Sequence, residues 1–426
     1  MKFFQFYLKI LLALLLPVGF ASAQSADALT VAQCRALALQ NSPLQQKKLY
    51  AASIADLQLR SIESNKLPRI AFGAQATFQS DVFGLPIESP LFKVPTVPKD
   101  QYKLTVDAGQ RIWDGHSDRL QRQQRELERD LAAAQVDVDA FAVRELVTDL
   151  FFKALLLQES ELVLQSAYDD LTARRRQAEA AVTEGVALRT TVDQISIQLL
   201  KTEQQMALTR ADKKSILAIL ELWIGQSAVE KQLALPQAEN LPTLASARPE
   251  YQLFSLQARG LQLSKDALKV RESPKVEAFV QAGLGRPNPF NFFETGFSPF
   301  GLLGLRAQWT PFNWGNHKRE AQVLDLQGKN IEAQRLAFEQ RLNGNSLKDR
   351  LDKDKYAAQL NTDDKIITLQ EDIVRRADAQ VKNGVMTATD YLSQLNLLTQ
   401  ARLTRKTHEI QALQSGEMVK ARWTVD

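Results

Sequence analysis

The sequence predicts a mainly α-helical chain in which long helical hairpins carry four strands of a membrane β-barrel. Three observations predict it. All 15 prolines lie at or before Pro98 or between Pro236 and Pro311, which leaves two long proline-free blocks. Four segments within the proline-richer blocks alternate apolar and polar residues with period two. Motifs of the first half return in the second after about 200 residues.

The chain opens with Lys2 and Lys9 around an apolar run, Ile10 to Leu16, followed by Ala21-Ser22-Ala23. This is the pattern of a secretory signal peptide cut after Ala23, so residues 1–23 are assigned to it. The run is well short of the roughly 20 residues that a spanning helix needs. No later segment is apolar for that long. A membrane role would then fall to a β-barrel, because only helices and closed barrels satisfy their backbone in lipid.

Loss of Lys2 and Lys9 lowers the formal charge from +4 to +2, a near-neutral balance. That gives no electrostatic case for nucleic acid. The single cysteine, Cys34, excludes an intrachain disulfide and is expected to be a buried helix-face thiol. A lipidated cysteine would stand nearer the cut and follow a smaller residue than Gln33. Three histidines, four methionines and one cysteine are a poor metal-handling set. There is no phosphate loop, nucleophile elbow or paired His/Cys spacing. The expectation is a non-enzyme with no catalytic residue, no metal ligand and no cofactor.

The helices follow from the proline map. Proline in a helix interior costs about 3 kcal/mol, so the proline-free blocks can carry very long helices. His116–Glu184 lacks both proline and glycine and at about 1.5 Å per residue could span roughly 100 Å. Val186–Ile224 is similarly clean. Val143, Leu146, Val147, Leu150, Phe151, Ala154 and Leu155 form one apolar helix stripe. Leu188, Val192, Ile195 and Leu199 continue such a stripe after Gly185.

The strands follow from alternation, at about 69–80, 102–113, 275–285 and 300–311. Ile70, Phe72, Ala74, Ala76 and Phe78 share one face of the first, and Tyr102, Leu104, Val106 and Ala108 one face of the second. Val276, Ala278, Val280, Ala282 and Leu284 do so in the third, and Gly301, Leu303, Leu305, Ala307 and Trp309 in the fourth. Each run has about the 9–11 residues of a tilted membrane strand, apolar on one face only. Trp113, Phe312 and Trp314 stand where strands give way to helices, as aromatics of a membrane interface do; a helix-packing core is the alternative. Asp81–Asp100 and Arg286–Pro299 are read as hairpin loops.

The duplication organises the chain. Trp113-Asp114-Gly115-His116 is echoed by Phe312-Asn313-Trp314-Gly315-Asn316-His317, and Glu184-Gly185-Val186 by Asn383-Gly384-Val385. His116 and His317 are read as interfacial polar residues at similar junctions. Residues 24–225 form a first repeat, 226–246 a linker and 247–426 a second repeat. Four strands cannot close a barrel, and open edges are not tolerated in lipid. Embedded strands would therefore force oligomerisation, without setting the number of copies.

Three stretches carry a resemblance. Leu29 to Pro43 is similar to the opening helix of the TolC family of outer-membrane efflux proteins. Ile112-Trp113-Asp114-Gly115 is similar to that family's strand-to-helix junction, and Leu222-Trp223-Ile224-Gly225 with Arg248-Pro249-Glu250 to its link between halves. The resemblance spans essentially the whole mature chain. It implies a homotrimer with a twelve-stranded barrel in outer-membrane lipid and a long periplasmic α-barrel. It further implies a passive exit duct for tripartite efflux or type I secretion, docked to a periplasmic adaptor (membrane fusion) protein and an inner-membrane pump of RND or ABC type.

The resemblance also implies sites. Gly185 with Val186, and Gly384 with Val385 and Met386, fall at the periplasmic tip, where the helices close and meet the adaptor. Asp390 stands where the family often carries a pore-facing aspartate, a ring that would favour cations; an ordinary helix-surface or capping aspartate is the alternative. The related positions hold Ser393 in the second repeat and Thr191, with Asp193 two residues on, in the first. Met386 replaces the arginine of the best-known members. The expected gate therefore rests more on packing of Val186, Val385 and Met386 than on ion pairs, with Arg189 to Asp193 or Asp390 as an alternative pair. The competing function is a periplasmic helical scaffold or adaptor protein.

Overall fold

The computed structural model describes residues 28–82, 96–229, 231–237, 248–291 and 293–423. The signal peptide at 1–23, residues 83–95 of the first hairpin loop and much of the linker lie outside the described residues. The elements run α1 (Val31–Asn41), α2 (Leu44–Ser64), β1 (Arg69–Phe78), β2 (Asp100–Trp113), α3 (Ser117–Thr183) and α4 (Arg189–Ile224). They continue with α5 (Pro249–Arg271), β3 (Lys275–Arg286), β4 (Ser298–Gln308), α6 (Asn316–Lys382) and α7 (Ala388–Trp423).

Helices α3 and α6 each have 67 residues, a rod of about 100 Å at 1.5 Å per residue. Their partners α4 and α7 each have 36. The hairpins begin at Ser117 and Asn316, 199 residues apart, and end at Ile224 and Trp423 with the same offset. On that offset His116 corresponds to Gly315, not to His317. His317 lies inside α6, where its Nδ1 meets Glu272 at 2.8 Å.

The four strands form one antiparallel sheet in the order β1-β2-β3-β4. Its register gathers the four alternating apolar sets on one face. Phe72 pairs with Val106, Val106 with Ala282, and Ala282 with Gly301. One position on, Gly73, Thr105, Gly283 and Phe300 pair across the opposite face. β4 ends at Gln308, paired with the first residue of β3, Lys275. Pairing therefore stops before the expected 311, and Trp309 instead donates from Nε1 to the Glu272 carbonyl at 2.9 Å. Among the described residues β1 and β4 are both open edges.

The helices pack through separate apolar clusters. The largest joins α1 to α3, α4 and α7 around Cys34, Phe151, Phe152, Leu155, Leu220 and Ile410. Helix α1 is started by a capping box: Thr30 Oγ1 accepts the Gln33 N–H at 3.2 Å, and Gln33 Oε1 accepts the Thr30 N–H at 2.9 Å. Leu171, Ile195, Leu199, Val374, Tyr391 and Leu395 hold the ends of the two hairpins together. No described helix is long and apolar enough to cross a membrane.

Candidate functional site

Both hairpin turns have the same local cause. After α3, Gly185 takes φ +76°, its N–H donates to Val182 O at 3.1 Å, and the Val186 N–H donates to Ala181 O at 2.9 Å. After α6, Gly384 takes φ +71°, donating to Val381 O at 3.0 Å, and Val385 donates to Gln380 O at 2.9 Å. Each is a Schellman motif, whose left-handed residue is ordinarily glycine because a Cβ is strained there.

At these turns Val186 and Val385 are 76% and 77% exposed. Neither belongs to an apolar cluster of the described residues, while the partly buried Met386 packs against the cluster around Tyr391. Asp390 lies in the first turn of α7, where a carboxylate is favoured by the helix dipole. It accepts the Thr387 hydroxyl at Oδ2 at 2.6 Å, and its own N–H donates to Thr387 Oγ1 at 3.1 Å. Within the chain Thr387 is thus the cap, and Asp390 is the exposed third residue of the helix whose carboxylate holds the capping hydroxyl. Ser393 and Asp193 are exposed and Thr191 half-buried. Among the described residues Arg189 forms no ion pair with Asp193 or Asp390.

The pairs that do tie the hairpins near the tip escaped sequence reasoning. Arg174 of α3 forms an ion pair with Asp378 of α6. Lys382 joins the same carboxylate at 3.0 Å, and the Arg174 guanidinium lies 5.1 Å from the centre of the Tyr391 ring. Partners 204 residues apart leave no local signal. Beside them, a groove lined by Ile197, Gln198, Thr389, Leu392, Ser393 and Asn396 runs between α4 and α7, bridged by Gln198 Nε2 to Asn396 Oδ1 at 2.7 Å.

At the other end, the apolar face of the sheet is bare. Phe72 is 81% exposed and Leu303 77%, so a contiguous apolar surface faces outward, the sign of an interaction surface. Its opposite face is mixed, with polar and small residues around Phe279 and Phe300. Lys103 Nζ donates to Gln281 Oε1 at 3.3 Å, and Asp107 accepts from Thr105 at 2.9 Å and from Gln281. Trp113, Phe312 and Trp314 sit at the sheet-to-helix junction, 46%, 82% and 92% exposed, outside any helix-packing core. Among the described residues no cluster of metal-ligating side chains occurs.

No family model matches the sequence, and no curated protein does. Solved structures do match the fold. The outer membrane protein VceC of Vibrio cholerae is 14% identical with a TM-score of 0.68, over 92% of this chain and 95% of its own. The Campylobacter jejuni CmeC outer membrane channel is 15% identical with a TM-score of 0.68, over 92% and 85%. The open state of the Neisseria gonorrhoeae MtrE outer membrane channel is 16% identical with a TM-score of 0.65, over 92% and 88%.

Proposed function

Starting from the TolC-like fold that the chain shares with these outer-membrane channels, we propose that it is one protomer of a trimeric outer-membrane exit duct. In this reading three copies close the open edges of β1 and β4 into a twelve-stranded barrel. The exposed apolar sheet face is then the lipid surface, the polar face is the lumen, and the hairpins extend the duct into the periplasm. The single observation that carries this is a one-sided apolar sheet with two unpaired edges. Both features are untenable in lipid for one copy and resolved by closure. A soluble scaffold would leave the same face in water.

The duct conducts passively from periplasm to exterior, as part of tripartite efflux or type I secretion. An inner-membrane pump of RND or ABC type supplies the energy, and a periplasmic adaptor docks at the tip around Gly185 and Gly384. The protein is a non-enzyme without a cofactor. The test is native mass of the detergent-purified protein, followed by planar-bilayer recording. A trimer with discrete conductance steps supports the duct. A detergent-free soluble monomer without conductance refutes it.

A further inference from the structure

The polar face of the sheet carries an imbalance of charge. Arg69, Lys103, Arg111, Lys275 and Arg306 fall on it by register, against Asp107 and Glu277. Arg111 is offset by Asp118 of α3 at 3.4 Å. Neither Lys103 nor Arg306 forms an ion pair among the described residues. Each lies instead on an aromatic ring. Lys103 Nζ is 5.3 Å from the centre of Phe300, and the Arg306 guanidinium 5.1 Å from the centre of Phe279.

Those rings are themselves seated. Phe279 pairs across the β3–β4 ladder with Gly304, and Phe300 with Gly283. A Cβ at Gly304 would stand 2.7 Å from Phe279, and one at Gly283 2.8 Å from Phe300. Each phenylalanine thus lies against a glycine of the neighbouring strand and within cation–π distance of a cation. An aromatic face attracts a cation without neutralising it. Asp107 is engaged by two neutral donors on the wall and also attracts Lys103, without a direct ion pair.

We propose that this wall is an anion-attracting collar, so that the solutes the barrel favours are anionic. The inference rests on the duct reading, in which this face lines the lumen and three copies repeat each cation around it. Charge of one sign on low-dielectric walls raises the local concentration of its counter-ion. The field reaches about 10 Å from the wall at 0.1 M salt. The collar lies at the opposite end of the molecule from Asp390, so it is a second and oppositely signed selectivity element.

The probe is myo-inositol hexakisphosphate, titrated calorimetrically at low salt into the full-length, detergent-purified oligomer. The Lys103→Gln/Arg306→Gln double variant is expected to bind at least about tenfold more weakly. Glu277→Gln, which removes a carboxylate from the same wall, is expected to bind more tightly, a gain that misfolding cannot produce. Equal affinity in all three proteins, or no binding by the wild type, overturns the collar. Bilayer conductance of the same preparations is scored separately. Its absence sinks the duct reading, while the titration alone decides the collar.

Discussion

Thr387 and Asp390 bind each other reciprocally at the start of α7: the hydroxyl donates to the carboxylate at 2.6 Å and accepts the Asp390 N–H at 3.1 Å. Asp390 thereby has two separable roles, a partner of the capping hydroxyl within the chain and a charge that a trimer would present three times. Asp390→Ala keeps the N–H that Thr387 caps and loses only the carboxylate's contact with the hydroxyl, so it is expected to cost less than about 1 kcal/mol and to abolish cation preference in bilayer recordings. Thr387→Ala removes the cap and keeps the carboxylate, so it should cost about 1 kcal/mol, the usual worth of an N-cap, and leave the ion preference unchanged. Equal ion preference in wild type and Asp390→Ala would leave the contact with Thr387 as the whole role of Asp390.

Asp378 holds α6 to α3 through Arg174 and receives Lys382 from its own helix. The pair is partly screened, with side chains 28% and 23% exposed, so Asp378→Asn should destabilise by about 1 kcal/mol, at the upper end for exposed pairs. The effect should be local. Amide exchange should quicken around Gly185 and Gly384 and conductance should rise, while the cluster around Phe151 keeps its protection.

Leu303 projects from the apolar sheet face on edge strand β4. If that face meets lipid, Leu303→Arg should disfavour insertion by about 2–4 kcal/mol near the bilayer midplane. The expected result is loss of membrane-extracted trimer on native gels, with helical content retained. A variant that still assembles in membranes at wild-type yield contradicts the lipid-facing assignment.

Cys34 is fully buried between α1 and α3. Burial pushes its thiol up from 9.0 to about 12, against the weaker opposing pull of Arg35 and Lys231. The native thiol should therefore resist maleimide, which reacts with thiolate, until denaturant exposes it. The linkage has a definite sign. The unfolded thiol ionises near 9 while the folded one stays neutral, so stability should fall as pH rises between about 9 and 12. Cys34→Ala should flatten that part of the curve.

Much of this molecule is written locally. The proline map marks where α3 and α6 can run unbroken, because one proline in either would remove a backbone bond and clash with the preceding turn. Gly185 and Gly384 mark the turns, because a left-handed residue there favours the side chain with no Cβ. Alternation in 70–78 and 275–285 marks strands because successive side chains of an extended chain point to opposite faces. Periodicity and backbone sterics depend on near neighbours, so one sequence suffices to read them.

What sequence alone did not settle is long-range. The pairing of Phe72 with Val106 and of Ala282 with Gly301 was decided by strand order and register. The Arg174–Asp378 tie and the seating of Lys103 on Phe300 required residues hundreds of positions apart to meet. Asp390 shows the boundary most clearly: its place six residues after Gly384 was legible, but its hydrogen bonds to Thr387 were not. Local periodicity determines which elements form and which face is apolar. Only packing in three dimensions decides which charges become partners, because that depends on geometry that accumulates over the whole fold.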